Sequence, residues 1–404
     1  MEPSARARFN AAYDDARYRR YVADLEGTLG CEVPFRLAET PVFFPPGLHE
    51  RCVAASDAIV AQLSDATRIA RMRAAVPARW NVPNETPLPT FAVVDFAIVR
   101  EADGSLGPRL VELQGFPSLL GFETLQRDAW ERELQTTEGL TGEWSSWFGG
   151  LDRDSLLDLA RRTIVGEHDP ADVVLLDLDP RSQKTYPDFA ATEMLFGVEP
   201  VCPTMLTKRG RKLYRRDASG RERAIERIYY RLVIDEIERK NVTLPFDLRD
   251  ELDVEWSPHP NWFFIWSKYS LPFLDHPAVP KTRLLSDVDS VPDHLSERYV
   301  LKPLFSFAGG GVNVRPSAAD VAAMPANARD AWCLQEKIAY EPALAAADGG
   351  GVKVEIRMMY LRPDDEPKLV AATNLCRLAR GELLGVDFNK NMTWVGSSIG
   401  IWRP

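Results

Sequence analysis

Apolar residues recur every three or four positions in two N-terminal stretches, residues 5–30 and 47–76. This spacing is typical of amphipathic helices. Pro41, Pro45 and Pro46 lie between the two stretches, and proline interrupts helical hydrogen bonding. The pattern therefore predicts a helical N-terminal layer, to which we assign residues 1–90.

After residue 90 the pattern becomes β-like. The segments Phe91–Arg100 and Arg109–Leu113 flank an acidic turn that contains Asp103-Gly104, and this arrangement is typical of a hairpin. Residues 122–165 then show mostly helical spacing. We assign residues 91–165 to one unit that contains the hairpin and the helices after it.

Residues 166–265 alternate between strand and helix patterns and predict an α/β unit. The first strand is the apolar run Val173–Leu176, and the alternation continues as far as Ile228–Ile234. A basic stretch at residues 208–216 lies inside this unit. Its composition favours a solvated hairpin or loop and leaves an anion site open as the alternative.

Residues 266–404 combine strand patterns with a glycine-rich loop. The segments with strand or helix patterns are a strand at 298–303, a helix at 318–324, a strand at 332–338 and a hairpin that pairs 352–361 with 369–374. We assign these residues to one C-terminal unit.

Composition narrows the class of protein. The chain has 404 residues, is 45% hydrophobic and carries a formal net charge of −10, which excludes binding to nucleic acid through bulk positive charge. No apolar run approaches the roughly 18 residues of a membrane span, and the charged N-terminus lacks the apolar core of a signal peptide. The five cysteines include no CxxC pair. We therefore expect a cytoplasmic enzyme without nucleic-acid or membrane partners.

The segment Tyr299–Val314 carries the clearest chemical signal. Two strand-like runs are joined by a loop with three consecutive glycines, Gly309, Gly310 and Gly311, and Lys302 lies seven residues before the first of them. Such glycines let the backbone approach a phosphate group. Because the lysine precedes the glycines, the segment is not a P-loop. Taken alone, it predicts either a phosphate cradle or a flexible hairpin tip.

Other polar residues occupy single faces of predicted strands. Period-two alternation places Glu355 and Arg357 on one face, where Arg357 either serves a site or forms a surface ion pair with Glu355. Glu112 and Gln114 share a face of an earlier strand, and their oxygens suit Mg²⁺. The strand Trp332–Ile338 has polar residues where its backbone could contact a base.

At these residues the sequence resembles the ATP-grasp superfamily, and specifically its circularly permuted branch, glutathionylspermidine synthase and eukaryotic glutathione synthetase. Lys302–Phe305 and the glycines are similar to the lid loop of that family, and Leu334–Ile338 is similar to its adenine-binding hinge. The strand with Glu112-Leu113-Gln114 is similar to the metal-binding strand, which comes early in permuted members. The resemblance covers residues 91–122 and 260–390.

The resemblance implies an α+β and α/β architecture with an ATP-grasp fold in circularly permuted order. Two α+β subdomains would grip ATP, with the lid and core in residues 266–404 and the metal-binding hairpin in residues 91–165. Residues 166–265 would form an α/β substrate-side domain beside the helical N-terminal layer.

The resemblance also implies roles for individual residues. The implied nucleotide-binding residues are Lys268, Lys302, Ser306, Gly309, Gly310, Gly311, Gln335, Glu336, Lys337 and Ile338. The implied Mg²⁺ ligands are Glu112, Gln114 and Asp387. The implied catalytic residues are Lys302, which would bind the ATP phosphates, and Arg357 and Arg377, which would neutralise the transferred phosphoryl group. Lys268, which lies close to two tryptophans, is equally compatible with a lysine that packs its stem on aromatic rings.

Three positions depart from the family pattern. Gln114 replaces asparagine, Ser306-Phe307-Ala308 replaces an acidic lid residue, and Val93-Val94 replaces the arginine or serine before Asp95. The implied activity is an ATP-dependent ligase that joins a small-molecule acid to an amine or thiol through an acyl phosphate and releases ADP and phosphate. An ATP-dependent small-molecule kinase is one alternative, and a non-catalytic ATP-binding regulator, which the altered metal and lid positions favour, is another. The sequence leaves the substrates, the oligomeric state and the pathway open.

Overall fold

The computed structural model describes residues 1–306, 310–381, 389 and 391–404. The described helices are α1 (Pro3–Ala12), α2 (Asp15–Leu29), α3 (Leu48–Leu63), α4 (Ala66–Met72), α5 (Leu120–Leu134), α6 (Arg153–Ile164), α7 (Tyr186–Phe196), α8 (Ile234–Arg239), α9 (Trp262–Ile265), α10 (Leu295–Arg298) and α11 (Ala318–Ala322). The described strands are β1 (Val42–Phe43), β2 (Phe91–Arg100), β3 (Leu106–Gln114), β4 (Val173–Leu176), β5 (Glu199–Val201), β6 (Thr207–Arg209), β7 (Lys212–Arg216), β8 (Glu222–Ala224), β9 (Arg227–Tyr230), β10 (Glu255–Ser257), β11 (Thr282–Leu284), β12 (Tyr299–Pro303), β13 (Trp332–Glu336), β14 (Leu344–Ala345), β15 (Gly351–Leu361), β16 (Val370–Ala379), β17 (Gly396–Ser398) and β18 (Gly400–Ile401). Among these helices, none has the length and apolar character needed to cross a bilayer.

Each of the two predicted N-terminal helical stretches is divided by an aspartate cap. Asp14 accepts a hydrogen bond from the backbone N–H of Arg17 and starts α2, and Asp65 does the same for α4 through Arg68. A carboxylate at this position satisfies N–H groups that the first helical turn leaves unpaired. The helical prediction for both stretches is therefore confirmed, with one break in each.

The central sheet joins early and late parts of the chain. Its strands follow the order β17-β16-β15-β2-β3, and all neighbouring strands are antiparallel. The short strand β14 pairs antiparallel with the beginning of β15. The predicted hairpins β2–β3 and β15–β16 are both present, and the first turns at Gly104, which has a φ of +84°. In the register, Asp95 lies opposite Glu112 on one side and Arg357 on the other.

The two faces of the central sheet differ. One face carries Phe96 and Ile356 and packs against α3 and α5 in the largest hydrophobic cluster. The other face is apolar at one end, where Val93 and Met359 pack on α6, and charged at the other end. Only the charged end can contribute ionic chemistry.

A second, parallel sheet follows the order β10-β9-β4-β5, with Val173–Leu176 as the inner strand β4. The basic stretch forms the antiparallel hairpin β6–β7, as favoured from the sequence. Lys208, Arg209, Arg211 and Arg215 of this stretch pair with acidic neighbours, for example Lys208 Nζ with Asp250 Oδ2 at 2.6 Å.

Residues 135–152 differ from the helical prediction for 122–165. The structure has α5 and α6 there, separated by an irregular segment. Gly139, Gly142, Gly149 and Gly150 all have positive φ, a conformation that a helix does not allow. The apolar side chains that imitate helical spacing, such as those of Leu140 and Trp144, are buried in this segment without a helix.

A small sheet of order β11-β13-β12 is antiparallel throughout. Its Leu301 and Leu334 pack against Leu285, Leu295 and Val321 in a separate hydrophobic cluster. The other face of the sheet points toward β3. The space between this face and β3 is called the cleft below.

Candidate functional site

Asp95 is the centre of the charged end of the central sheet. Its side chain is fully buried, and its two oxygens accept hydrogen bonds from Arg357 Nε at 2.7 Å and Arg357 Nη2 at 2.6 Å. Arg377 Nη2 donates to the same carboxylate at 2.7 Å. Arg357 also donates to Ser118 Oγ at 2.7 Å. One buried carboxylate therefore orients both arginines predicted to be catalytic.

Glu355 is the second buried carboxylate of this face. It accepts a hydrogen bond from Arg377 through Oε1 and from the Tyr340 hydroxyl through Oε2, the latter at 3.0 Å. The sequence left open a surface ion pair between Glu355 and Arg357. The structure instead pairs Glu355 with Arg377 and Arg357 with Asp95, although Glu355 and Arg357 do share a face.

Glu112 and Lys268 connect the central sheet to Ser306, three residues before the first glycine of the glycine-rich loop. Lys268 Nζ lies 3.0 Å from Glu112 Oε2 and donates to the Ser306 carbonyl at 2.6 Å. Both side chains are buried. Lys268 therefore packs in the interior as an ion-paired residue at the base of the cleft.

Lys302 and Gln335 extend from the small sheet into the cleft. Lys302 Nζ donates to the Val111 carbonyl at 2.9 Å and to Gln335 Oε1 at 2.5 Å. Gln335 Nε2 in turn donates to the Leu110 carbonyl at 3.2 Å. The two side chains thus bridge β12 and β13 to the backbone of β3.

These residues form one charged cluster with an excess of positive charge. Within the described part of the chain it contains four cations and three carboxylates, namely Lys268, Lys302, Arg357, Arg377, Asp95, Glu112 and Glu355. A cluster of this charge favours an anionic ligand over a cationic one.

Burial and neighbouring charge shift the pKa values in the cluster. Burial raises the pKa of Glu112, but the cations led by Lys268 outweigh it and bring the pKa to about 2. Burial also raises the pKa of Glu355, and the nearby charge of Arg377 only partly opposes it. Burial lowers the pKa of Lys302 despite the attraction of Glu112.

The described part of the glycine loop lies at the end of the cleft. Leu301 and Asn313 exchange two backbone hydrogen bonds of 3.0 and 2.9 Å that close the base of the loop. Gly310 and Gly311 are exposed, and Gly311 has a φ of +73°, which favours glycine. Gly309 and Asp387 lie outside the described residues.

The predicted adenine hinge borders a cavity of about 810 Å³. Glu336, Lys337 and Ile338 line this cavity together with basic residues such as Arg100 and Arg109. The backbone N–H groups of Glu336 and Lys337 already donate to carbonyls within the small-sheet unit, at 2.9 and 2.8 Å. A base bound here would therefore have to use other backbone groups of the hinge.

The predicted Mg²⁺ ligands provide two oxygen-bearing groups among the described residues. Gln114 Nε2 lies 3.5 Å from Glu112 Oε1, and both residues extend from the end of β3. No group of three or more His, Cys, Asp or Glu side chains in the described ranges could hold a metal ion. Because Mg²⁺ is commonly held by one or two carboxylates together with nucleotide phosphates, Glu112 and Gln114 fit a metal that arrives with its nucleotide.

A second polar group lies at the carboxyl edge of the parallel sheet. Asp177 follows β4, and Arg231 follows the neighbouring strand β9. Arg231 Nη1 donates to Asp188 Oδ2 at 2.5 Å, while its buried Nε has no partner among the described residues. This edge is where open α/β sheets bind ligands.

The loop that leads from β3 to Ser118 links the charged cluster of the central sheet to this polar group. The ring of Phe116 in that loop lies 6.3 Å from the ring of Tyr230.

Asp177 makes stability depend on pH. Burial raises its pKa to about 7, although Arg231 opposes the shift. Between about pH 4 and pH 7 the folded protein thus holds a proton that the unfolded chain has lost, and stability falls as the pH rises. We expect Asp177→Asn to be more stable than wild type at pH 8 by on the order of 4 kcal/mol, and nearly equal to it at pH 4.

Denaturant unfolding at the two pH values measures this difference. The exposed neighbour Asp179 provides the control, since Asp179→Asn is expected to follow the wild-type curve at both pH values. A wild-type pH dependence that persists in Asp177→Asn would assign the proton to another group.

Sequence reasoning missed three residues of the site. Asp95 had a usable signal, because a lone carboxylate within the apolar run Phe91–Val99 predicts a buried, paired acid. Ser118 and Tyr340 had none, because their contacts come from segments distant in sequence.

Comparisons with known proteins place the fold. No family model matches the chain, and no curated protein matches it. Among solved structures it is similar to a glutathione synthetase-like effector from Globodera pallida in its apo form, with a TM-score of 0.55 and 14% sequence identity over 96% of each chain. The protein thus has a glutathione synthetase-like fold of mixed α/β type with several sheets.

Proposed function

We propose that this protein is an ATP-dependent ligase that joins a carboxylate to an amine or thiol and releases ADP and phosphate. The proposal includes an ATP-grasp arrangement in circularly permuted order. One observation carries it. Lys302 of the small sheet and Lys268, bonded to the lid-loop carbonyl of Ser306, meet Glu112 and its strand β3 in a single cleft.

The chemistry of the cleft suits a nucleotide triphosphate. Lys302 and Lys268 supply ammonium groups close to the lid loop, and the whole cluster has one more positive than negative charge. Charge-assisted hydrogen bonds to phosphate are about twice as strong as neutral ones. The exposed glycines Gly310 and Gly311 would let backbone N–H groups approach the phosphates. Glu112 and Gln114 would hold Mg²⁺, which supplies charge neutralisation on the phosphates when bound.

Ligation by this route needs orientation and positive charge rather than a covalent nucleophile. Lys302 and Lys268 hold the phosphates, and Arg357 and Arg377, fixed by Asp95, neutralise the charge that develops as the phosphoryl group moves to the substrate carboxylate. Asp177 and Arg231 lie across the Phe116 loop from this cluster. We assign the second substrate to that edge of the parallel sheet.

A specific observation favours one second candidate, a non-catalytic ATP-binding regulator. Both arginines are engaged by carboxylates in this structure, Arg357 by Asp95 and Arg377 by Asp95 and Glu355. A nucleotide can bind between the lysines without freeing either guanidinium. Binding without turnover is the signature of this alternative.

Product analysis tests the ligase. We expect ATP, Mg²⁺ and a panel of amino acids and short peptides to give ADP and phosphate, and never AMP and pyrophosphate. Hydroxylamine added with the correct acid should trap the acyl phosphate as a hydroxamate, which mass spectrometry detects. AMP as the stoichiometric product would contradict the mechanism.

The alternatives give different results in the same assay. A kinase yields a phosphorylated product of stable mass and no hydroxamate. A regulator binds a non-hydrolysable analogue by calorimetry and releases no ADP with any acid. Absence of nucleotide binding in the wild-type protein excludes all three functions.

A further inference from the structure

A chain of hydrogen bonds leads from the connection between the two sheets into the charged cluster. Tyr340 lies between β13 of the small sheet and β14 beside the central sheet, and its hydroxyl donates to Glu355 Oε2 at 3.0 Å. The other oxygen of Glu355 accepts from Arg377 Nη2, which also donates to Asp95 Oδ2 at 2.7 Å. A residue outside both sheets is thus linked to a guanidinium of the cluster.

Two backbone contacts fix the connecting segment directly after Tyr340. The backbone N–H of Glu341 donates to the Ile98 carbonyl at 2.9 Å, and the N-terminal ammonium donates to the Ala343 carbonyl at 2.8 Å. The Tyr340 hydroxyl therefore approaches Glu355 from a backbone that is held in place.

Arg377 depends on these contacts for its orientation. Its Nη2 makes both ion pairs, and its buried Nε has no partner among the described residues. The position of the Glu355 carboxylate consequently decides where the remaining N–H groups of Arg377 point. Tyr340 supplies a neutral donor for the second oxygen of Glu355, which holds the carboxylate without competing for its charge.

On the basis of the proposed function, we infer that Tyr340 is a positioning residue for nucleotide phosphates. Tyr340 holds Arg377 in place through Glu355. The N–H groups of the Arg377 guanidinium that the carboxylates do not use are then presented to the phosphates in the cleft. Tyr340 acts on the triphosphate and leaves recognition of the nucleoside unchanged. This difference separates positioning from a merely structural contribution.

The test is Tyr340→Phe, which keeps the ring and removes the hydroxyl. We expect the affinity for Mg-AMPPNP, the magnesium complex of a non-hydrolysable ATP analogue, to fall roughly 5- to 10-fold when measured by calorimetry. Binding of adenosine, measured by ligand-observed NMR, should stay within about twofold of wild type, because adenosine has no phosphate. In an Arg377→Gln background the same change should cause no further loss, since the residue through which Tyr340 acts is then absent.

Two further variants complete the design. Tyr360→Phe removes another buried tyrosine hydroxyl, one that donates to Asp57 Oδ1 at 2.6 Å on the face covered by α3, and should lower stability without changing either affinity. Glu355→Gln keeps an oxygen for Tyr340 but removes the charge that holds Arg377, and should reproduce the loss that is selective for the triphosphate. It also serves as the test if Tyr340→Phe does not fold.

The outcomes are distinct. Unchanged Mg-AMPPNP affinity in Tyr340→Phe, equal losses for Mg-AMPPNP and adenosine, or an additive loss in the Arg377→Gln background overturns the positioning role and leaves the nucleotide site intact. A wild-type protein that binds no Mg-AMPPNP overturns the proposed function itself.

Discussion

Lys302→Met is expected to give a folded protein that binds Mg-AMPPNP roughly 10- to 100-fold more weakly than wild type and has no ATP-dependent turnover. The Lys302 ammonium is buried in the cleft, and its bonded partners in the described structure are two neutral oxygens, the Val111 carbonyl and Gln335 Oε1. Its charge therefore lacks a direct ion pair, which a phosphate oxygen would provide. Methionine keeps the apolar stem, and relief from burying a charge without an ionic partner offsets the cost of leaving the Val111 carbonyl and Gln335 Oε1 without this donor.

Calorimetry and the melting temperature together decide this prediction. Lys208→Met is the matched control, because the Lys208 ammonium is paired with Asp250 in the hairpin β6–β7, away from the cleft. Both variants should melt close to wild type, and only Lys302→Met should lose affinity. Wild-type affinity in Lys302→Met would exclude the cleft as the triphosphate site.

Local periodicity was sufficient to predict individual strands but not their neighbours. The segment Phe91–Arg100 and the hairpin turn at Asp103-Gly104 are visible in the sequence because alternation and turn chemistry are local properties. The pairing of β2 with β15 joins residues more than 250 positions apart, and nothing in either segment specifies the other. Spacing alone also predicted a helix at residues 135–152, where the glycine conformations exclude one.

The residues of the candidate site also fall into those that the sequence could identify and those that it could not. The lysines and arginines could be selected because motifs resemble those of a known family, and the structure brings Lys268, Lys302, Arg357 and Arg377 into one cluster with Glu112. Their roles toward ATP and Mg²⁺ remain predictions. The carboxylates that orient the arginines could not be assigned, because the pairing of Arg357 with Asp95 instead of Glu355 depends on the register of two strands.

The strand register places the single carboxylate of Asp95 between the guanidinium groups of Arg357 and Arg377. Asp95 therefore reduces the repulsion between these two groups, which lie beside two lysines. Because Asp95 is fully buried, water cannot replace it. Asp95 therefore fixes the orientation of both arginines but also neutralises part of their charge. Under the proposed function, a phosphate group would have to compete with Asp95 for their N–H groups.

Asp95→Ala should consequently have the largest effect on stability, lowering the free energy of unfolding by about 3–5 kcal/mol. It leaves Arg357 and Arg377 facing each other without the three hydrogen bonds of 2.6–2.7 Å that the carboxylate accepts. Denaturant unfolding measures the loss. The control is Asp365→Ala, which removes an exposed carboxylate paired with Arg162 and should cost no more than about 1 kcal/mol.

The cause of the loss is tested by a second substitution. If repulsion between the two guanidinium groups dominates, Asp95→Ala combined with Arg357→Leu should recover part of the stability, because Arg357 is the arginine left without a carboxylate, whereas Arg377 keeps its ion pair with Glu355. Inorganic phosphate should also stabilise Asp95→Ala more than wild type, because the cluster has gained an uncompensated positive charge. A double variant that is less stable than Asp95→Ala, with no added effect of phosphate, would show that Asp95 stabilises the sheet by packing and not by holding the arginines apart.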